Sequence, residues 1–348
     1  MSLPDPAAPG KRVSRLPIYL VLGVLAFLVA AGAIAWILAR KSAIERLDHA
    51  AADLRRAGFE VDWRDRRISG FPFRLDLTLT ELRVRTPAGW SLETPRLEAE
   101  AFLHAPGNWV LATPDGLTFV RPGGGPVRIS GKLLHASLTH LRDLPPNLSL
   151  EGVDLTFAPG AGAQPFVLSA AGRIEMHLRK SPDDEAGVWI SVREGKAQTS
   201  GLLGGIAARG PVTFEWDSRL SNISAFAGRN WADAARHWTG AGGRMRVKRA
   251  GLTAGTASLA VTSGTLGAGG DGRIVGALEM TLREAPRALT ALGQGGAIPA
   301  DRAEAAVAVA LARQGSGAVA RATLTFQAGE TTLGPVSIGP APRIYTPN

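Results

Sequence analysis

From about residue 60 onward the sequence runs with a period of two. In "FPFRLDLTL" (71–79), Phe71, Phe73, Leu75, Leu77 and Leu79 fall on one side of an extended chain, and Arg74, Asp76 and Thr78 on the other. That spacing suits a half-buried strand and is wrong for a helix. Leu82 and Val84 continue the alternation out of phase, so a bulge or tight turn near residues 80 and 81 is expected to return them to the core side. The same grammar recurs in "WSLETPRLEAEAFL", "VRISGKLLHASLTHL", "LSLEGVDLTFA", "FVLSAAGRIEMHLRK", "VWISVREGKAQTS" and "PVTFEWDSRLS". Pro, Gly and Asn carry the connections, and no helical period separates the strands. A mainly β fold of long, curved, mostly antiparallel sheet is expected, with a few short helices. Two strand blocks, at about 60–220 and 244–338, share this grammar without a clean repeat; one long sheet or two related half-sheets fit equally.

The entry to the first long strand is unusual. Pro72 has no amide hydrogen to give to a ladder and belongs at a strand start or edge, and it pushes Phe71 into an extended conformation. Gly70 permits a bend just before it. Gly70, Phe71, Pro72 and Phe73 therefore form a kinked entry that sets two rings on one face. As a functional site they would hold an apolar ligand such as an acyl chain at a groove mouth. The plainer expectation, which we favour, is that both rings plug a core.

Upstream lies a charge-free run from Ile18 to Ala39. At about 1.5 Å per helical residue it spans the roughly 30 Å of bilayer hydrocarbon. Tyr19 and Trp36 lie near its two ends, where amphipathic rings prefer the interface, and Lys11, Arg12 and Arg15 precede it. We read residues 16–40 as a transmembrane signal anchor with a basic cytoplasmic tail at 1–15. The competing reading is a signal peptide cleaved after "AIA" (33–35), which would leave a soluble periplasmic protein. The apolar run continues past that site, which favours the anchor. Residues 41–58 show helical spacing at Ile44, Leu47, Ala51 and Leu54 and end at Gly58, a plausible C-cap, so a helical stalk is expected. Residues 59–348 form the β-rich domain, with a possible sub-boundary near 226–243, where "FAGRNWADAARHWTGAGG" reads as a helix and a glycine turn. Further helices are expected at "APRALTALGQ" and "PADRAEAAVAVALARQ", and a hairpin turn at Asp271 and Gly272.

The formal net charge is +9, from 39 Lys and Arg against 30 Asp and Glu. The basic residues are spread thinly and not gathered into a stripe interleaved with aromatics, so no nucleic-acid partner is expected. In "RMRVKR", alternation places Arg244, Arg246 and Lys248 on one strand face. That face is either simply solvated or a site for anionic headgroups. Cysteine is absent, which removes disulfides, thiolate metal sites and cysteine nucleophiles. The sequence holds no phosphate-loop, zinc-helix or nucleophile-elbow motif. His135 and His140, five residues apart in a strand, face opposite ways, and Glu98 with Glu100 reads as a solvated face. No catalytic residue, metal or cofactor is assigned, and the protein is not expected to be an enzyme.

"ISGFPFRLDL" (68–77), "SGTL…DGRIVGALEMTL" (263–282) and "TLGPVSIGPAPRI" (332–344), with the N-terminal apolar segment, resemble the DUF2125 family. That resemblance implies a membrane-anchored protein of the kind found mainly in Alphaproteobacteria, with no agreed catalytic residues. More loosely, the strand grammar is similar in architecture to AsmA-like envelope proteins, which implies a periplasmic sheet involved in lipid handling. The functional expectation is an inner-membrane-anchored periplasmic β-sheet protein that binds lipid or another apolar ligand, or supports envelope maintenance. The alternatives are a scaffold for an envelope protein partner and, further off, a hydrolase.

Overall fold

The computed structural model describes residues 16–346, apart from residues 142, 144, 200, 208, 209, 229, 297 and 313–318. The expected basic tail at 1–15 and the Tyr19 side chain lie outside the described residues. One helix, α1 (Leu16–Arg56), carries both the apolar run and the expected stalk without a break. At 1.5 Å per residue it is about 60 Å long, twice the thickness of bilayer hydrocarbon. Its C-terminus closes as the sequence suggests. Gly58, at φ +87°, donates to the Arg55 carbonyl, and the Phe59 amide reaches back to Leu54. These two bonds use carbonyls the helix would otherwise leave unpaired.

Every ladder that follows is antiparallel. The strands β1 (Glu60–Asp62) and β2 (Asp65–Ser69) share one edge of β3 (Arg74–Arg85), whose other edge pairs with β4 (Ser91–Phe102). Four short strands then bridge to the long β9 (Asn147–Pro159) in two storeys. One storey is β5 (Trp109–Ala112) with β8 (Leu133–Thr139), the other β6 (Leu117–Arg121) with β7 (Gly125–Ser130). From β9 the sheet is a plain meander through β10 (Leu168–Ser181), β11 (Glu185–Ala197), β12 (Val212–Leu220), β13 (Met245–Ala254), β14 (Ala257–Ala268), β15 (Ile274–Arg283), β16 (Val319–Gln327), β17 (Glu330–Leu333) and β18 (Val336–Pro340). Of the two arrangements the sequence leaves open, the single sheet is the one formed. β12 pairs directly with β13 across the segment 226–243.

The expected phase change in β3 is present. Glu81 takes φ +51° opposite Pro95, both drop out of the ladder, and Leu79 and Leu82 on either side are buried. Register shifts between Asp217 and Ser218 and between Val261 and Ser263 do the same job in the second half. At Glu81 one residue leaves each strand and the register is kept, whereas each of the later shifts inserts a residue in one strand only; all three keep the apolar set on one side of the sheet.

Helices cover parts of that side. α2 (Leu202–Ala207), which the sequence reading did not anticipate, packs with α4 (Ala285–Gln294), and α4 packs with α5 (Ala300–Ala312) against β14 and β18. The buried Leu289, Ile298 and Ala303 belong to this layer. α3 (Trp231–Gly240) lies at the strand ends after β12, where Asn230 caps it by accepting from the Asp233 amide. Its Trp238 is 4% exposed and donates to the Ser221 carbonyl.

Candidate functional site

The registers of successive ladders compose into a single row. Ile68, Leu77, Ala99, Leu111, Ala136, Leu150, Met176, Ile190, Trp216, Ala250, Val261, Met280 and Ala322 stand opposite one another, strand to strand. All are apolar. A second row on the same face runs Trp109, Leu138, Leu148, Leu178, Val188, Ser218, Val247, Gly264, Leu278 and Leu324. Its one polar side chain, Ser218, is fully buried, and its hydroxyl accepts from the Trp216 indole at 2.8 Å. The apolar face is thus continuous from β2 to β16.

The opposite face carries the charge. Its row through Asp76, Glu100, Ser137, Ser149, His177 and Asp217 is mostly polar. Arg74 pairs with Asp76 and with Glu100, both at 3.3 Å, and Arg96 with Glu98 at 3.5 Å. Glu151 receives His135 at 3.3 Å and also Arg173. These are partly exposed pairs worth at most about 1 kcal/mol each. Within "RDRR" (64–67), Arg64 pairs with Glu81 at 2.6 Å and Arg66 with Asp48 of α1.

Two cavities lie on the apolar face, one at each end of the row. The first, of about 650 Å³, separates the C-terminal half of α1 from the sheet. Leu38, Ala39, Ala43 and Leu47 form its helical wall, and Leu77, Ala99, Trp109, Leu111 and Leu138 its floor, with Ser42 and Arg46 the polar groups on the helix side. Leu38 and Ala39 belong to the last apolar turn of α1, so this cavity begins where the apolar run ends. The second, of about 290 Å³, lies under α2 and α4 above β13–β18 and is lined almost wholly by aliphatic side chains, Met280 among them. Between them the row crosses β8 to β12. There Leu150 is 37% exposed, and Met176 and Ile190 are half-buried.

The sequence-predicted residues fall elsewhere. Gly70, at φ +97°, and Phe71, Pro72 and Phe73 form a turn ahead of β3, which starts only at Arg74; the Phe71–Pro72 peptide is cis. The expectation of aromatic plugs is overturned. Phe71 is 55% and Phe73 75% exposed, and neither lines a cavity. The turn lies at the end of the strand, past the last inward-facing position, so its rings have no second layer to enter. Phe71 instead meets Trp36 of α1 edge to face, with ring centres 5.6 Å apart. Arg244 lies one residue ahead of β13, where its carbonyl still accepts from the Ser221 amide, and its guanidinium donates to the Gly243 carbonyl. Arg246 and Lys248 are exposed beside the buried Val247, on the polar face and away from both cavities.

What sequence reasoning missed was the cavity floor and the row. The period-two signal was read for each strand, but no strand alone says which residue of the next one it faces. Among the described residues no cluster of three or more histidines and carboxylates is placed to hold a metal.

A family model described as "Uncharacterized protein conserved in bacteria (DUF2125)" matches residues 36–342. The chain belongs to that family, whose model takes in Trp36, the cavity beneath α1, the whole apolar row and the strands to β18. No curated protein matches the chain. No solved structure matches it either, so the looser likeness to AsmA-like proteins gains no support.

Proposed function

We propose that this protein is a bacterial inner-membrane-anchored, periplasmic β-sheet module that binds the acyl chains of a membrane lipid along its apolar face, without chemistry. The observation that carries this reading is the row from Leu77 and Leu111, in the floor of the first cavity, to Met280, in the wall of the second. A sheet face that served only as core would be closed by a second layer along its length. Here the helices stand over the two ends and leave Leu150 more than a third exposed. A volume of about 650 Å³ with apolar walls and few polar groups falls in the range of small-ligand sites, roughly 300–1,000 Å³. α1 supplies the anchor: no residue in its window of high hydropathy is buried, as suits a lipid-facing segment.

The test is photocrosslinking in intact bacterial membranes with a benzophenone amino acid placed singly at Leu111, Leu150 and, on the polar face, Ser137. Lipid adducts at Leu111 and Leu150, and none at Ser137, are expected. Adducts to one protein partner at these positions, or none at all, would overturn lipid binding, and the former would make the module a scaffold.

A further inference from the structure

Three rings protrude from one end of the sheet: Phe71 at 55%, Phe73 at 75% and Phe102 at 53% exposure. They come from two connections, the turn before β3 and the end of β4, which are tied together by the Leu103 amide donating to the Phe73 carbonyl at 2.9 Å. Isolated exposed apolar residues are ordinary; three large rings gathered on two linked turns mark a surface with a partner.

Trp36 fixes where that surface lies relative to α1. The Trp36 indole donates to the Arg74 carbonyl at 2.9 Å, and its ring meets Phe71 edge to face. Trp36 sits in the last turn of the apolar run, and Arg40, the first charge after it, lies one turn further, about 6 Å along the axis. The Arg40 guanidinium stands 6.0 Å from the Trp36 ring centre. The aromatic turn is therefore level with the boundary of the apolar run. Immediately beyond it on the strands come Arg74, Asp76 and Glu100 in mutual ion pairs. Rings followed by charges is the order a membrane interface imposes from hydrocarbon to water.

We propose that Phe71, Phe73 and Phe102 form a seat that dips into the interfacial layer of the bilayer around the exit of α1. This proposal rests on the anchor reading of α1. The occupant is lipid and not a protein, because the surface is continuous with the lipid-facing side of that helix. The seat fixes the sheet's end against the membrane, and Leu103, which closes the seat, also lines the first cavity. It thereby sets the mouth of that cavity at the height where acyl chains begin.

The chain has no cysteine, so single-cysteine labelling is direct. Phe27→Cys on the apolar run, Phe73→Cys on the seat and Val167→Cys, exposed at the opposite strand ends, would each carry a nitroxide in the full chain, reconstituted in nanodiscs of phosphatidylethanolamine and phosphatidylglycerol. Collision with oxygen, which concentrates in lipid, is compared with collision with a water-soluble nickel chelate. Phe27 and Phe73 are both expected to favour oxygen, with nickel access at Phe73 about fivefold or more below that at Val167. Nickel access at Phe73 equal to that at Val167, with Phe27 in lipid, would overturn the seat and leave the anchor standing. Water-like behaviour at Phe27 would overturn the anchor and the seat together. Shielding of Phe73 from both reagents would show a protein in place of lipid and overturn the seat.

Discussion

The Trp36 indole and the Arg74 backbone carbonyl, 38 residues apart in sequence, are joined by a 2.9 Å hydrogen bond. It is the lowest of three ties between α1 and the sheet. Above it Arg66 of β2 reaches Asp48, and near the helix end Arg55 donates to the Val61 carbonyl at 3.0 Å through Nε. Between the first two ties the helix stands off the sheet by the width of the first cavity. The ties thus hold a helix against the edge strands without filling the space beneath it.

Trp36→Phe keeps the ring and its contact with Phe71 but removes the donor. A single partly exposed hydrogen bond has a net worth of about 0.5–1.5 kcal/mol. The amides of Phe71, Phe73, Arg74 and Leu75 should exchange with solvent several-fold faster in the variant, with β10 and β11 unaffected. Equal exchange in both proteins would mean that the bond does not restrain the turn.

Gly70→Ala should destabilise the protein by about 1–3 kcal/mol. The position has φ +97°, and an added Cβ would lie 2.8 Å from the Arg74 carbonyl and the Asp76 carboxylate. Gly123→Ala, at φ +69° in the turn between β6 and β7 with open space around it, is the comparison and should lose less. Urea unfolding midpoints of the two variants decide the matter.

Ala43→Trp puts an indole into the first cavity from the helix side, where Ala43 is half-buried and faces the floor. If the cavity holds acyl chains, lipid recovered with the purified protein should fall while thermal stability holds or rises. Undiminished lipid would place the bound chains elsewhere on the face.

Ser218→Ala removes the hydroxyl that accepts from the Trp216 indole inside the apolar face. The indole N–H would then be left without a partner, at about 1–3 kcal/mol. Ser218→Thr, which retains the hydroxyl, should recover part of that loss unless the added methyl overpacks the fully buried site. Chemical denaturation of the three proteins gives the readout.

Much of this architecture was legible one strand at a time. The period-two pattern marked the strands, the charge-free run marked α1, and Gly58 marked its end, because each signal depends on residues within a turn or two of one another. Even the phase change at Glu81 could be read, since Leu79 and Leu82 fall on one side only if a residue is inserted between them. α2 escaped notice because "LLGGIA" carries two glycines and no helical period.

What the sequence by itself determined, then, is a single apolar helix followed by a mainly antiparallel β chain, set by periodicities that act locally. Only the tertiary structure decided the rest: that Phe71 and Phe73 stand outside the core, that Arg246 and Lys248 face away from the cavities, and that Leu77 and Met280 end up on one apolar row. The reason is register. Which residue faces which across a ladder is fixed by turn lengths, bulges and the ends of strands together, and no single strand's alternation contains that information.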